Sequence, residues 1–316
     1  MIYLQDILFS LNIVAPLFIL VAVGYFLTQI KFWDDNFLKI GNKLCFNVLL
    51  PIMLFHNISK SDFFAVFDGK LIVFTLASVT VLFFSGVFLI RFFTPDGGRR
   101  AAIVQALFRG NYLLLGVPIC ASMFGDEGAV VASVSSAFVI PYFNILATIL
   151  LSIYSRDKVT TVKGVLIKIA KNPLIIGCVL GIVASLVKLP IPETLDKAFS
   201  NIKSIATPFA LLILGGDFKF RELKSNIKPV VITTLLRLII VPAVIITAAV
   251  FMGFSGVSLG VLIAVYCTPV AVSSYPMTRQ MNGDYELAGQ LIVSTTFLSM
   301  FTIFIFVYGL RLLGLA

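Results

Sequence analysis

The chain has 316 residues, 59% hydrophobic and only 12% charged, with a mean hydropathy of +1.05 and a formal net charge of +9. A soluble domain carries about twice that charged fraction and could not hide so much apolar surface, so soluble and single-span readings are excluded. A polytopic membrane protein remains.

Ten apolar runs approach or exceed the ~17 residues that a bilayer-crossing helix needs: 7–30, 37–58, 71–92, 102–124, 129–153, 173–188, 204–217, 230–252, 258–281 and 287–310. The first has no basic segment before it and no small-residue cleavage site after it, so it reads as a span and not as a cleavable signal. It carries Pro16 and, eight residues on, Gly24. The second carries Pro51 and closes on the single histidine, His56, with no second His or carboxylate beside it to build a metal site. The fourth holds Arg109, Asn111, Gly116 and Pro118, and ends in Met123-Phe124-Gly125-Asp126; the fifth holds Pro141 and Asn144.

A polar connection, 154–171, follows. Its second part sets Val162, Val165, Leu166 and Ile169 among Lys163, Lys168 and Lys171, which fits an amphipathic helix on the membrane face or a plain basic connector. The sixth run carries Pro173 and Gly181, the seventh Pro208, and the eighth Arg237 and Pro242. The ninth carries Thr268, Pro269, Ser273, Ser274, Tyr275, Pro276 and Arg279, and ends in Met281-Asn282-Gly283-Asp284. The four cysteines fall inside runs without metal-ligand spacing and read as small apolar packing residues.

Three prolines recur in register. Pro16 and Pro173, Pro51 and Pro208, and Pro118 and Pro276 stand 157, 157 and 158 residues apart. Gly24 and Gly181, and the Gly-Asp pairs at 125–126 and 283–284, recur with them. The chain therefore reads as two five-span repeats, 1–153 and 172–316, joined by the linker 154–171. Five is odd, so the second copy enters the membrane upside down, as an inverted-topology repeat.

Charge fixes the orientation. With the N-terminus outside, the cytoplasmic ends and loops collect sixteen basic residues and the outer side six, which is the positive-inside rule. The positive charge thus sets topology and touches anionic lipid; no nucleic-acid partner is expected. Both termini lie on the non-cytoplasmic side of the cell membrane in this reading.

Paired interrupted helices in two inverted halves point to a transporter's binding site. After Pro118 the fourth helix runs outward and after Pro276 the ninth runs inward, so two helix N-termini, each with unpaired N–H donors and a partial positive charge, converge near the midplane. With polar side chains around them they make an anion site that needs no metal or cofactor.

Asn111-Tyr112-Leu113-Leu114-Leu115-Gly116-Val117-Pro118, followed by Met123-Phe124-Gly125, resembles the fourth-helix motif of the auxin efflux carrier family. Asn172-Pro173-Leu174 with Gly181, the stretch Pro208 to Gly215, and Arg237 to Pro242 are similar to that family as well. The resemblance covers all ten runs. It implies an all-α membrane protein of ten transmembrane helices, with helices 4 and 9 broken and crossing at prolines. It also implies a scaffold of helices 1, 2, 6 and 7, and a transport domain of helices 3–5 and 8–10 that moves like an elevator. Carried over by residue, the crossover positions are Asn111, Pro118, Pro269 and Pro276, with Asn144 as the polar position of helix 5. The chain lacks the large hydrophilic loop of the plant forms and so resembles the short bacterial members, whose substrates are small mono- or dicarboxylates.

The expected function is a secondary carrier for small organic anions, efflux being driven by membrane potential. No Asp or Glu lies deep in a run to relay protons. A sodium- or proton-coupled symporter of the bile-acid symporter type is the alternative, and a channel or receptor is the reading from another class. The Gly-Asp pairs resemble those of intramembrane aspartyl proteases, but opposite topology puts them on opposite faces, about 30 Å apart, so no enzyme is expected. The candidate substrate-binding residues are Arg109, Asn111, Gly116, Pro118, Pro141, Asn144, Thr268, Pro269, Ser273, Ser274, Tyr275 and Pro276. Arg109 either attracts the carboxylate or binds lipid phosphate. Arg237 reads as a structural residue that neutralises a helix C-terminus or bonds broken backbone near Pro242, and Arg279 as a snorkelling residue. The oligomeric state stays open, a homodimer included.

Overall fold

A computed structural model describes residues 16, 19–60, 68–154, 162–218 and 220–312. The first part of the first run and the start of the linker lie outside the described residues. The rest is helical: α1 (Ile19–Gln29), α2 (Asp35–Ser59), α3 (Gly69–Ile90), α4 (Gly97–Phe108), α5 (Val117–Tyr154), α6 (Val162–Ala170), α7 (Pro173–Leu186), α8 (Glu193–Asp217), α9 (Asn226–Phe251), α10 (Gly256–Tyr266), α11 (Ser274–Gln280) and α12 (Tyr285–Leu312). Among the described residues α2, α3, α5, α8 and α9 are each long and apolar enough to cross a bilayer. The last helix joins them if its parts Tyr285–Ser299 and Phe301–Gly309, bent by 47°, count as one.

Some boundaries move. The seventh run, short in sequence, is the apolar end of the 25-residue α8, which starts at Glu193 with acidic residues in its first turn; there they favour the positive helix end. The fourth and fifth runs are joined in the 38-residue α5, which kinks at Gly125, where φ is +62° and glycine is at ease. The linker segment 162–170 is a helix.

Three prolines widen a helix where the sequence suggested a break. The five-residue turns Cys45–Leu49, Tyr112–Gly116 and Leu236–Ile240 are π-helical, and each ends two residues before a proline: Pro51, Pro118 and Pro242. A proline has no N–H and its ring crowds the carbonyl four residues back. Opening that turn by one residue relieves the clash while the chain stays helical. The N–H groups of Leu50, Val117 and Val241 accordingly donate five residues back, to Cys45, Tyr112 and Leu236. Asp34, Asp68, Asp96 and Asn172 start α2, α3, α4 and α7 by accepting from backbone N–H groups of the first turn.

Helix packing carries the 157-residue period into three dimensions. A Cβ on Gly24 would lie 2.0 Å from the carbonyl oxygen of Leu212, and one on Gly181 would lie 2.9 Å from that of Phe55. In both places only a glycine lets the backbones touch, as at tight helix contacts in membranes. Phe55 and Leu212 are themselves 157 residues apart, like Gly24 and Gly181. The contact of α1 on α8 is therefore repeated, with partners exchanged, by α7 on α2. Around this frame α2 lies along α7 and α8, whereas α3, α4, α5, α9, α10 and α12 pack among themselves, and α11 sits between α2 and α12.

Candidate functional site

Two helices stop inside the protein and cross. α4 ends at Phe108 and helix resumes at Tyr112; α10 ends at Tyr266 and α11 begins at Ser274. The intervening strands pair: Gly110 bridges Val270 in antiparallel sense, the Asn111 N–H donates to Pro269 O at 2.7 Å, and the Ala271 N–H donates to Arg109 O at 3.1 Å. Pro118 and Pro276 lie past these interruptions, inside the resumed helices, so the crossing itself falls at Gly110–Asn111 and Pro269–Val270.

Helices that end inside the protein leave carbonyls without partners, and here one side chain collects them. Arg237, from α9, is fully buried. Its Nη1 donates to Leu107 O at 3.0 Å, its Nη2 to Val265 O at 3.1 Å and Thr268 O at 2.8 Å, and its Nε to Thr268 O at 3.1 Å. The guanidinium thus serves the negative ends of α4 and α10 together. The carbonyls it binds belong to the crossing and not to the backbone near Pro242. Gly110 is required beside it, since a Cβ there would lie 2.3 Å from Arg237 Nη2 and 2.6 Å from Val265 O.

A second arginine faces the other way. Arg109 is 3% exposed, and its guanidinium donates to Asn144 Oδ1 at 2.6 Å, to Ser273 Oγ at 2.9 Å and to Met277 Sδ at 3.0 Å. All three partners are neutral, and no carboxylate lies within ion-pair range of it among the described residues. Asn144 is held in turn: its side-chain Nδ2 donates to Cys178 Sγ of α7 at 3.6 Å, while its backbone carbonyl accepts from Thr148 Oγ1 at 2.7 Å, the hydroxyl to which Asn172 Nδ2, at the start of α7, donates at 2.9 Å. Arg109, Asn111, Asn144 and Ser273 line a cavity of about 50 Å³, walled otherwise by residues such as Met53, Leu113, Phe143 and Thr207. The Asn111 Nδ2 is buried there with no hydrogen-bond partner.

A wider vestibule of about 600 Å³ shares Met53, Leu113 and Thr207 with this cavity and passes Pro118, Ser133 and Ser136 toward Asn57 and Lys203. The opposite end is fastened. Asp217, at the end of α8, takes an ion pair from Arg279 and the hydroxyl of Tyr275, while the Arg279 guanidinium stacks over the Tyr285 ring at 5.1 Å. Arg279 is therefore an interhelical tie and not a snorkelling residue.

Of the twelve residues singled out in the sequence, the small cavity gathers Arg109, Asn111, Asn144 and Ser273, and the vestibule takes Pro118. Thr268 lies on the Arg237 side of the crossing and Pro269 supplies the carbonyl to Asn111. Gly116 packs on α10, where a Cβ would lie 2.8 Å from Ala264 O. Pro141 is buried in α5 and Ser274 is buried with its hydroxyl unpartnered. Tyr275 turns to Asp217, and the Pro276 carbonyl accepts from Asn42 Nδ2 at 3.4 Å. Asp217, Asn172 and Thr148 escaped sequence reasoning because their partners are distant in the chain. His56 finds a carboxylate that its own run lacks: its Nε2 lies 3.1 Å from Asp196 Oδ1, which also takes Lys60 at 2.8 Å, so the histidine is satisfied by a residue of α8.

Crossed, interrupted helices around a buried polar cavity define a membrane transporter, and comparison with known proteins identifies the family. The chain belongs to the membrane transport protein family, that of the auxin efflux carriers, which matches it at residues 9–162 and 154–307. It is similar to an uncharacterized transporter of Methanocaldococcus jannaschii, with 26% identity over 306 residues covering 92% of this chain and 94% of the relative. A second uncharacterized transporter, from Methanothermobacter thermautotrophicus, is 23% identical over 292 residues, covering 92% and 95%. The uncharacterized transporter YfdV of Escherichia coli is 24% identical over 291 residues, covering 87% and 89%. The protein is a multi-pass membrane transporter and not an enzyme.

The two arginines predict different failures. Arg237→Met strands the carbonyls of Leu107, Val265 and Thr268 in a dry interior and should cost about 3 kcal/mol or more. Arg109→Gln strands no backbone group and should cost far less. Thermal unfolding of the purified variants measures this, and an Arg237→Met protein as stable as the parent would refute the assignment.

Proposed function

We propose that the chain is a secondary carrier that moves small organic carboxylate anions by alternating access, elevator-like, with efflux driven by the membrane potential. The observation that carries this reading is Arg109, a buried cation whose partners are all neutral. A buried charge is costly until it is paired, and an anion in the cavity supplies the missing partner. The unpartnered Asn111 Nδ2 is a second donor aimed at the same space. The small cavity suits a carboxylate head and the vestibule the remainder of the molecule. No Asp or Glu is among the lining residues of either space to carry a proton, which disfavours proton coupling; sodium coupling is the alternative that the test below addresses.

The same reading takes the helices as ten spans in two inverted repeats, supported by the exchanged contacts of Gly24 with Leu212 and Gly181 with Phe55. Helices α1, α2, α7 and α8 form the scaffold, and α3–α5 with α9–α12 the moving body. With both termini outside, the vestibule at Lys203 opens outward, and the tie of Asp217 to Arg279 and Tyr275 closes the inner side by joining scaffold to moving body. A cysteine replacing Ser133, a half-buried residue of the vestibule, should then react with an impermeant thiol reagent from outside, the four native cysteines being buried. Adding Asp217→Asn should slow that reaction severalfold by releasing the inner side. Failure of the single Ser133→Cys protein to react from outside overturns the outward-open assignment.

Binding should follow the donors. Losing a hydrogen bond to a charged group costs about 1.5–3 kcal/mol, roughly ten- to a hundredfold in affinity. Asn111→Ala and Asn144→Ala should weaken carboxylate binding by that much, and Arg109→Gln by at least as much. Thermal stabilisation by a carboxylate panel reads it out; unchanged affinity in all three variants would place the site elsewhere.

The driving force has a particular signature because Arg109 travels with the site. Loaded with a monoanion the site is neutral, and empty it carries one positive charge. The potential, worth about 2.3 kcal/mol per 100 mV for each charge, then acts on the return of the empty carrier. In proteoliposomes, net efflux should rise with an imposed inside-negative potential and survive replacement of sodium by choline, whereas exchange of internal for external substrate should be nearly insensitive to potential. Flux that vanishes without sodium establishes the symporter alternative.

A further inference from the structure

Away from the crossing, a second cavity of about 250 Å³ opens between the end of α3, the first turns of α4 and the middle of α9. Its walls are graded. On α4, Arg99 stands at the mouth and Ile103 one turn deeper; on α9, Lys228 stands at the mouth with Ile232 and Leu236 one and two turns deeper. Residues four apart share a helix face, so each helix presents a cation followed by aliphatic side chains. The two mouths lie level, because Arg99 Nη2 donates to Asn226 Oδ1 at 2.8 Å, two residues before Lys228. Both helices run on from there to meet at the Arg237–Leu107 bond. From α3 the same space receives Ile90, Phe93 and Thr94. Lys228 to Leu236 spans about 12 Å of helix, close to the ~15 Å hydrocarbon depth of one leaflet.

The charge at this mouth is cationic. Lys228 has no hydrogen-bond or ion-pair partner among the described residues. Arg99 lies 3.4 Å from Asp284, and Arg100 donates to the carbonyl of Thr94 at 2.7 Å. The carboxylates nearby are Asp96, Asp284 and Glu286, which share an adjoining pocket with Arg99 and do not line this cavity; Asp96 and Asp284 each turn an oxygen to the backbone N–H of a helix start, at Arg99 and Leu287. Phe93, half in and half out of the mouth, is 74% exposed, as an aromatic side chain at headgroup depth is.

We propose that this cavity binds one anionic phospholipid, its phosphate between Lys228 and Arg99 and one acyl chain along Ile103, Ile232 and Leu236. Apolar walls alone would accept any lipid tail; the graded cations select the anionic headgroup, as basic pockets between membrane helices do. The site is independent of the central cavity and of any reading of what is transported. The lipid joins α3 and α4 to α9, the helix that supplies Arg237, so its binding stabilises the whole crossing by mass action.

The experiment is titration of the full-length purified protein, in neutral detergent, with short-chain phosphatidylglycerol, phosphatidylcholine and glycerol phosphate, read by thermal unfolding. Phosphatidylglycerol should raise the midpoint at concentrations where the other two do not. Lys228→Gln, an exposed position, should weaken the apparent affinity about fivefold, as expected for one basic residue at a membrane surface. Ile232→Phe, which fills the tail slot, should abolish the shift. Equal shifts with phosphatidylcholine, a shift with glycerol phosphate alone, or a phosphatidylglycerol shift unchanged in both variants would each overturn the proposal.

Discussion

The fold depends on one constraint: backbone that leaves the helix inside a membrane protein must still find partners, because hydrocarbon offers none. Two helices are interrupted at the same place, and each interruption exposes a carbonyl end and an N–H end. The structure separates the two. The carbonyl ends of α4 and α10 face Arg237, whose donors bond three carbonyl oxygens. The two strands between the halves satisfy one another through the Gly110–Val270 bridge. What is left, the starts of the resumed helices, faces a cavity. A polar cavity at the centre of an apolar protein is thus what remains when Arg237, the backbone bridge and the Thr295 hydroxyl, which accepts from the Val270 N–H, have taken the other groups of the crossing.

The same crossing therefore holds two arginines in opposite conditions. Arg237 is saturated by backbone oxygens that are strong acceptors at helix C-termini, and the helix dipoles supply much of its counter-charge. Arg109 has an amide, a hydroxyl and a thioether, none of which carries charge. Orientation rather than neutralisation is what these groups provide. The Asn144 amide is anchored on α7 through Cys178 Sγ at 3.6 Å, and one turn along Thr148 takes a bond from Asn172, which also starts α7 by accepting from the Leu174 N–H at 2.9 Å. A guanidinium held in place with its charge unanswered is the feature on which the proposed anion site rests.

Much of this was legible in the sequence, and the reasons differ by feature. The repeat could be read because proline and glycine are tied to backbone geometry, and geometry repeats when a fold does: Gly24 and Gly181 recur because the same close contact recurs. Asn111, Asn144 and Ser273 were visible as polar residues in apolar runs, where polarity is expensive and so has a reason. The place of the interruption was misjudged, because proline was taken as a breaker. Beside Pro51, Pro118 and Pro242 a π-turn absorbs the ring; the interruption at Arg109–Asn111 contains no proline, and the one it pairs with contains Pro269 and not Pro276, so of the four crossover positions Asn111 and Pro269 lie at the crossing and Pro118 and Pro276 beyond it. The tie of Asp217 to Arg279, and Asp196 beside His56, were illegible for a different cause. Each joins residues more than fifty positions apart, and no local pattern encodes that pairing.

The contacts between α5 and α7 set a physical condition on any movement of one helix group against the other. Asn144 with Cys178 at 3.6 Å, and Thr148 with Asn172 at 2.9 Å, join those two helices next to the site. The Asp217 tie joins α8 to α11 on the far side of the same boundary. Sliding must exchange these bonds, and the first pair is coupled directly to Arg109 through Asn144. With the site empty, moving carries an unpaired guanidinium through the low-dielectric interior and breaks the bonds that anchor Asn144 and Thr148 on α7. With an anion bound, the charge is answered and Arg109 has a partner that travels with it. On the proposed carrier reading, occupancy of the cavity lowers the electrostatic cost of moving, which is the coupling between binding and movement that a carrier needs and a channel does not.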